Sequence, residues 1–257
     1  MAKSTVTACL VIIGNEILSG RTRDANLAFL AEGLNDVGIR MLEARVIPDI
    51  EQTIIATVNE MRARFDYVFT TGGIGPTHDD ITSPSIAKAF GVPLLRNAEV
   101  VASMAAYYAE TGRVVQGGLN EARLRMADFP EGAVLVKNPL TRAPGYSIGN
   151  VYVFAGVPSI MRAMFEAVKP SLRGGRKMHS RAITAALSEG AMAADLSRIQ
   201  DMYADVEIGS YPFFDPQRYG VSIVLRGFEP TRVEAAAEDV RQMMRSLGGE
   251  PVDGEAA

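Results

Sequence analysis

Tryptophan is absent from the 257 residues, cysteine occurs once and histidine twice. The single cysteine, Cys9, excludes an intramolecular disulfide framework and a cysteine-rich zinc site, and a reducing cytoplasm is the compartment that fits it. Placed inside an apolar strand, Cys9 reads as an inert core residue. Positive charge is not in excess either: 26 Lys and Arg face 30 Asp and Glu, a net charge of −4, which leaves no electrostatic footprint for nucleic acid. No apolar run approaches the length of a membrane span, and no leader or targeting signal precedes the first strand-like segment. Internal repeats and low-complexity blocks are missing. So are a P-loop lysine, a GxGxxG turn after a strand and a Ser/His/Asp order, which removes support for kinase, dinucleotide-dehydrogenase and serine-hydrolase readings. The expectation is a cytoplasmic protein that binds neither nucleic acid nor membrane.

What is present is a hydrophobic content of 47%, enough for a packed core, laid out in alternating periods. Val6 to Ile13 is a nearly continuous apolar run, as expected for a strand covered on both faces. A helix follows from Asp24, with Leu27, Leu30, Ala31, Leu34 and Val37 on one stripe and Gly38 as its stop. Arg40 to Ile47 reads as a second strand. Asp49 with Gln52 makes a capping-box-like start to a helix bearing Ile54, Ile55, Val58 and Met61. Tyr67 to Thr71 is the third strand. Ser83-Pro84 then supplies an N-cap and a first-turn proline, and Gly91 a stop. This β-α-β-α-β-α order with short connections predicts a doubly wound, mostly parallel sheet in three layers, α/β/α.

Asn97 to Thr111 is a further helix closed by Gly112, and Arg113 to Asp128 an irregular excursion with one short helix. Ala133 to Val136 and Tyr146 to Phe154 are strands, the latter a hairpin about Gly149-Asn150. A helix from Pro158 completes the first domain, residues 5–170. The polar, basic stretch Ser171 to Lys177 is the expected linker. Residues 178–248 read as a small α+β domain. It holds strands at Ala182–Leu187, Val206–Tyr211 and Val221–Leu225 and a helix at Met192–Tyr203. Its last helix opens with a capping box, Thr231 to Glu234. The tail 249–257 is expected to be disordered.

In open parallel sheets ligands bind beyond the carboxyl ends of the strands. Three loops lie there: Gly14 to Asp24, Gly72 to Asp80, and Gly156-Val157-Pro158. Their glycines permit positive φ and a close backbone approach to an anion such as phosphate, though tight turns after strands need no ligand. Asp79 and Asp80 either hold a divalent cation together with phosphate oxygens, or serve as a helix cap and a solvated acid. Glu16, Asp24 and Asn26 lie in or just after the first loop, and spacing favours capping for Asp24. Thr82 is a helix-start hydroxyl. His78, inside the glycine loop, is a metal ligand, a base or an incidental loop residue, and His179 reads as surface.

Gly14-Asn15-Glu16-Ile17-Leu18-Ser19-Gly20…Asp24-Ala25-Asn26, followed by Thr70-Thr71-Gly72-Gly73-Ile74-Gly75-Pro76-Thr77-His78-Asp79-Asp80-Ile81-Thr82, resembles the molybdopterin-binding-like (MoaB/Mog-type) domain family, in its CinA-like form. Asn138…Ala143-Pro144-Gly145 and Ala155-Gly156-Val157-Pro158 resemble two later elements of that family. The resemblance covers residues 5 to 170, and the four motifs occur in the family's order. The doubled acid after Gly-Pro-Thr favours the CinA-like branch over the molybdenum-cofactor enzymes. It implies a pocket in which Asp80 and Asp79 hold a divalent cation (Mg²⁺, Mn²⁺ or Co²⁺, with K⁺ as an accessory ion) and act in catalysis. Thr71, Gly72, Gly73 and Gly75 would cradle a diphosphate. Gly14, Glu16, Asp24, Asn26, Thr82, Asn138, Gly156, Pro158 and Ser159 would complete the substrate site, which reverses the capping preference for Asp24.

The implied function is metal-dependent hydrolysis of a nucleoside-diphosphate-linked compound of the ADP-ribose or FAD type. The alternatives are a molybdopterin-binding or adenylylating protein of molybdenum cofactor metabolism, with molybdopterin as the ligand, and a non-catalytic nucleotide-binding oligomer. The ligand is thus a nucleotide or a pterin, and the resemblance implies a homo-oligomer. Three departures stand out. The family's glycine between the asparagine and Ala-Pro-Gly is missing from Asn138 to Arg142, which leaves Arg142 to contact phosphate instead. Ala155 replaces a proline. A C-terminal deamidase domain is not expected here, and the second domain resembles the CinA middle module but lacks a GxxG loop, so RNA binding gains no support.

Overall fold

In the computed structural model, which describes residues 5–111, 119–215 and 218–254, the apolar run is β1 (Val6–Ile13). It is flanked in parallel by β2 (Ile39–Ile47) and β3 (Tyr67–Thr71). After these the sheet runs through β8 (Val151–Phe154), β7 (Gly145–Ile148) and β6 (Val134–Val136), giving the order β2-β1-β3-β8-β7-β6. The β7 strand runs antiparallel to both of its neighbours, β6 and β8, and the other pairs of this sheet are parallel. A separate two-stranded ribbon pairs β4 (Leu94–Arg96) with β5 (Asp128–Pro130).

Alternation along the central strands sends their side chains to two cores. Cys9, Val11, Ile13, Val68, Val151 and Val153 pack with Ile54, Val58 and Met61 of α3 (Glu51–Arg64) and Ile86 of α4 (Thr82–Phe90). Ala8, Leu10, Ile12, Phe69 and Phe154 pack with Leu30 and Leu34 of α2 (Asn26–Asp36) and Met161, Met164 and Phe165 of α7 (Pro158–Val168). The expected three layers are therefore present, with helices on both faces of a mostly parallel sheet. Cys9 is fully buried, and that burial pushes its thiol up to about 12, as an inert core residue requires.

Several local expectations are corrected. The first loop contains a single helical turn, α1 (Asn15–Leu18). Asp49 does not cap α3; the helix starts after Ile50 without a side-chain cap, and the Asp49 carboxylate accepts from the Asn15 N–H at 2.8 Å. The acid is drawn across to an orphan donor of the neighbouring loop. Ser83 is not the cap of α4, which begins at Thr82 after Ile81. Asn97 does cap α5 (Ala98–Glu110), accepting from Val100 N–H at 3.0 Å. The stop at Gly112 lies outside the described residues, as does part of the excursion from Arg113. Its described remainder holds α6 (Glu121–Leu124) and a 3-10 turn at Arg125–Ala127.

The chain divides into two compact units, Met1–Gly175 and Arg176–Ala257. The stretch expected as a linker is tied to the first unit along its first half. Leu172 is in the core, Arg173 N–H donates to Tyr67 Oη at 3.0 Å and Gly175 N–H to Gly38 O at 2.9 Å. The second unit is an antiparallel sheet, β10-β11-β9-β12, built from β9 (His179–Ala185), β10 (Val206–Asp215), β11 (Arg218–Gly227) and β12 (Val252–Asp253). It packs against α8 (Glu189–Met202) and α9 (Pro230–Ser246). Two expectations fail here. The α9 capping box is absent, because the helix starts at Pro230 and Glu234 instead pairs with Arg181 and Arg241. The tail carries a strand, since Val252 and Asp253 pair with Thr184 and Ile183.

Helices α2 and α7 touch at Gly33, where a Cβ would lie 2.3 Å from Phe165 Cε1. Replacing a helical glycine by alanine gains about 1 kcal/mol in propensity. Overpacking the buried Phe165, which meets the half-buried Phe29 in a T-shaped pair, costs about 1–3 kcal/mol. Gly33→Ala is therefore expected to lower stability, with partial recovery in Gly33→Ala/Phe165→Leu. An unchanged or raised denaturation midpoint for the single variant would contradict this packing.

Candidate functional site

Because β1, β3 and β8 are parallel neighbours, their carboxyl ends finish at one edge, with Ile12 beside Thr71 and Thr71 beside Phe154. Three loops leave that edge side by side. Gly72, at φ +101°, donates its N–H to Phe154 O at 3.1 Å, and a Cβ there would lie 2.1 Å from Ile13 O. No other residue type fits both the torsion and the space. A Cβ on Gly156 would come within 3.3 Å of Gly72 Cα, so the first, second and third loops pack backbone on backbone.

The second loop is held from below by Thr82. Fully buried, Thr82 donates its hydroxyl to Gly72 O at 3.0 Å and its N–H to Gly73 O at 2.9 Å. Thr82 thus braces the turn. At the other end of the loop Thr77 and Asp80 close on each other. Asp80 Oδ2 accepts Thr77 N–H at 2.8 Å and Thr77 Oγ1–H at 2.5 Å, while Asp80 N–H donates to Thr77 O at 3.3 Å. This fixes the Asp80 carboxylate under Gly75, whose missing Cβ would lie 2.7 Å from Oδ2. Oδ1 is the oxygen that Thr77 does not engage. Asp79 and His78 stand outward, with His78 Nδ1 and Asp79 Oδ1 4.0 Å apart. The Thr77 hydroxyl gives its proton to Asp80 Oδ2, so Asp79's own N–H is the donor left to hold the Asp79 carboxyl below the usual carboxylate range.

Gly73, Gly75 and Asp80 line a cleft of about 360 Å³. Ile74, Ile81, Pro84 and Leu94 give it apolar surface, and Arg96, Glu121, Arg125 and Asp128 form a charged wall. None of those four charged residues stood out in the sequence, where no motif contains them. The wall is built by the β4–β5 ribbon, in which Arg96 and Asp128 are direct cross-strand partners. Arg96 donates from Nε and Nη2 to Asp128 at 2.8 and 3.0 Å, and from Nη2 to Glu121 at 2.7 Å. Thr77 was also missed as a site residue, although its spacing to Asp80 is that of a reciprocal side-chain cap.

The remaining expected site residues lie elsewhere. Asp24 caps α2, accepting from Asn26 N–H at 3.2 Å and Leu27 N–H at 2.8 Å, the role that spacing alone favoured. Asn26 is buried and donates Nδ2 to Gly156 O at 2.9 Å, which ties the first loop to the third; its Oδ1 has no partner among the described residues. Thr71 Oγ1, also buried, has none either. The Glu16 side chain folds back over Gly14. Pro158 and Ser159 begin α7 and are exposed. Asn138 spends its amide on its own turn, donating to Thr141 Oγ1 and Ala143 O and accepting from Leu140 N–H. Arg142, expected at phosphate, is instead bidentate to Glu110. Its φ of +58° occupies the left-handed position that glycine would take in this turn.

Among the described residues no group of three or more His, Cys, Asp and Glu is placed to hold a metal ion. Asp80 lines the cleft and Asp79 stands outward beside His78, so the two acids form no protein cage for a cation.

Residues 9–174 match the family model described as a probable molybdopterin binding domain, and residues 177–248 match the model of the FAD synthase middle domain. The chain therefore belongs to the probable molybdopterin-binding (MoaB/Mog-like) domain family, and its relatives place it on the CinA-like branch. A CinA-like protein of Syntrophus aciditrophicus is 32% identical over 237 residues, 88% of this chain and 54% of that protein. The crystal structure of the protein CinA, of unknown function, from Thermoplasma acidophilum superposes with a TM-score of 0.58 at 31% identity, covering 66% of this chain and 99% of that one. A protein of Pyrobaculum calidifontis is 39% identical over 172 residues, 65% of this chain and 64% of its own length. The chain thus spans between half and two thirds of these two sequence relatives. No helix among the described residues is long and apolar enough to cross a membrane.

Two outcomes follow from this geometry. Arg142→Gly relieves a left-handed strain of about 1–2 kcal/mol at the loss of an exposed ion pair worth about 0–1 kcal/mol. Denaturant unfolding is expected to show a small net stabilisation, and a clear loss would mean the pair outweighs the strain. Asp79, with its folded pKa depressed, contributes stability that is present above its unfolded pKa and is lost as pH falls through the lowered folded one. With the Thr77 hydroxyl proton committed to Asp80, Thr77→Val should leave the Asp79 titration, followed by carboxyl NMR, in place; an upward shift would show that the hydroxyl serves Asp79 instead.

Proposed function

We propose that this cleft binds a nucleoside-diphosphate-linked compound of the ADP-ribose or FAD type and hydrolyses its anhydride with a divalent cation. The observation that carries the reading is the locked Thr77–Asp80 turn, which aims one carboxylate into a cleft floored by backbone at Gly73 and Gly75. An anhydride ligand needs backbone donors near its phosphates and little side-chain bulk, which these glycines provide. The adjoining match to a FAD synthase middle domain also supports a nucleotide ligand.

Charge decides whether a cation is needed. The cleft wall and floor bring two positive residues, Arg96 and Arg125, and three negative ones, Asp80, Glu121 and Asp128, a balance of −1 before Asp79 is counted. A diphosphate entering unaccompanied would meet net repulsion. Asp80 and Asp79 would hold Mg²⁺, Mn²⁺ or Co²⁺ together with the phosphate oxygens, with K⁺ as an accessory ion. A bound divalent ion supplies charge neutralisation and a more acidic water. Under this reading Gly72 and Gly73 set the phosphate position, and Asn26, with its unpartnered oxygen, fixes the third loop beside it. Assembly as a homo-oligomer belongs to the same proposal, supported by β2, an unpaired sheet edge that exposes Leu42 and Val46. The second reading, molybdopterin binding or adenylyl transfer, draws on the family model matched by residues 9–174.

Hydrolysis of ADP-ribose, FAD and NAD should be screened with each cation, with and without K⁺, and with chelator. Activity is expected with at least one substrate and should vanish on chelation. Asp80→Asn keeps an acceptor for Thr77 and removes the charge, so it should cost about 100-fold or more in kcat. Wild-type turnover in that variant would overturn the assignment. Saturable molybdopterin binding without any anhydride cleavage would establish the second reading in its place.

A further inference from the structure

Two arginines line the cleft, and they are not equivalent. Arg96 is neutralised where it stands, held by its cross-strand partner Asp128 and by Glu121. The Arg125 side chain makes no ion pair or hydrogen bond among the described residues, although its charge adds to that of Arg96 in lowering the pKa of Glu121. Its backbone platform is firm. Ala127 is fully buried, Asn97 N–H donates to Ala127 O at 2.8 Å, and Asp128 begins the β5 strand of the ribbon. An uncommitted guanidinium on a rigid mount, facing a glycine-floored cleft, is suited to bidentate recognition of a phosphate.

Size narrows the ligand further. At about 360 Å³ the cleft is near the lower end of the range of about 300–1,000 Å³ for ligand pockets. It accommodates one nucleotide half of a dinucleotide-like compound, with apolar contact from Pro84 and Leu94. The other half must lie outside it, along the strand-end loops of Gly14 and Gly156.

Resting on the nucleotide reading above, we propose that Arg125 is the anion-binding residue of the cleft. Its guanidinium takes a phosphate of the nucleotide half in the cleft that Gly73 and Gly75 also line, while Arg96, caged by Asp128 and Glu121, serves as fixed wall. The ligand class this selects is a nucleoside 5′-diphosphate moiety, recognised by its phosphates more than by its base.

The test is calorimetric titration of ADP with Mg²⁺ into wild type, Arg125→Ala and Arg125→Lys, with adenosine as the phosphate-free control. Because the Arg125 side chain makes no hydrogen bond or ion pair among the described residues, its variants should unfold close to the wild-type temperature. Arg125→Ala is expected to weaken ADP binding at least tenfold and Arg125→Lys by less, with adenosine binding unchanged. In turnover of ADP-ribose the loss should fall on KM and spare kcat. Equal ADP affinity in wild type and Arg125→Ala overturns the role of Arg125 and leaves the nucleotide reading intact. A wild type that binds neither ADP nor ADP-ribose overturns both.

Discussion

The carbonyl of Ile13 lies against the α-carbon of Gly72, and the rest of the site depends on that contact. It brings the ends of two neighbouring parallel strands so close that no side chain fits between their loops. The second loop must therefore leave the sheet in a left-handed turn, and Gly73 continues that turn at φ +68°. Thr82, buried beneath it, takes up the carbonyl of Gly72 and supplies the N–H to Gly73. Only with the turn so fixed does the Thr77–Asp80 closure present one carboxylate oxygen to the cleft. A satisfied brace below and a reciprocal hydrogen-bond pair above preorganise the loop without a ligand.

Much of this was legible because period and punctuation agree. The continuous apolar runs at β1 and β3, and the helical stripe of α2, identified a parallel sheet with two covered faces, and the structure has both. The glycine turn with Asp79-Asp80 also announced itself, since adjacent acids beside three glycines are awkward without a ligand. The misreadings have one physical origin. Short polar side chains satisfy whichever orphan donor is nearest in space, and sequence spacing reports only the nearest along the chain. Asp49 bonds to Asn15 thirty-four residues away and not to its own helix, and Glu234 turns to arginines and not to a cap.

Asp24 illustrates the opposite lesson. Spacing favoured a cap and family resemblance favoured a ligand contact; the geometry gives it two helix-start N–H groups. Asn138 and Arg142 likewise spend their polar groups within the fold. Arg142 holds a backbone conformation that would suit glycine better, and its pair with Glu110 ties the turn to α5. The charged wall was illegible for a different reason. Arg96, Glu121, Arg125 and Asp128 become neighbours only because β4 and β5 pair across a long excursion, and nothing in local periodicity records that pairing.

That wall changes how the acids should be understood. With Arg96 already claimed by Asp128 and Glu121, the cleft offers little free positive charge to a polyanion, and Asp79 and Asp80 subtract from it. Under the proposed function, the Asp80 carboxylate in the cleft is a liability to a phosphate unless a cation arrives with the ligand. Cation and ligand binding would then be mutually dependent, each completing the other's charge. Such coupling is reciprocal by thermodynamic necessity: whatever factor the cation adds to ligand affinity, the ligand must add to cation affinity.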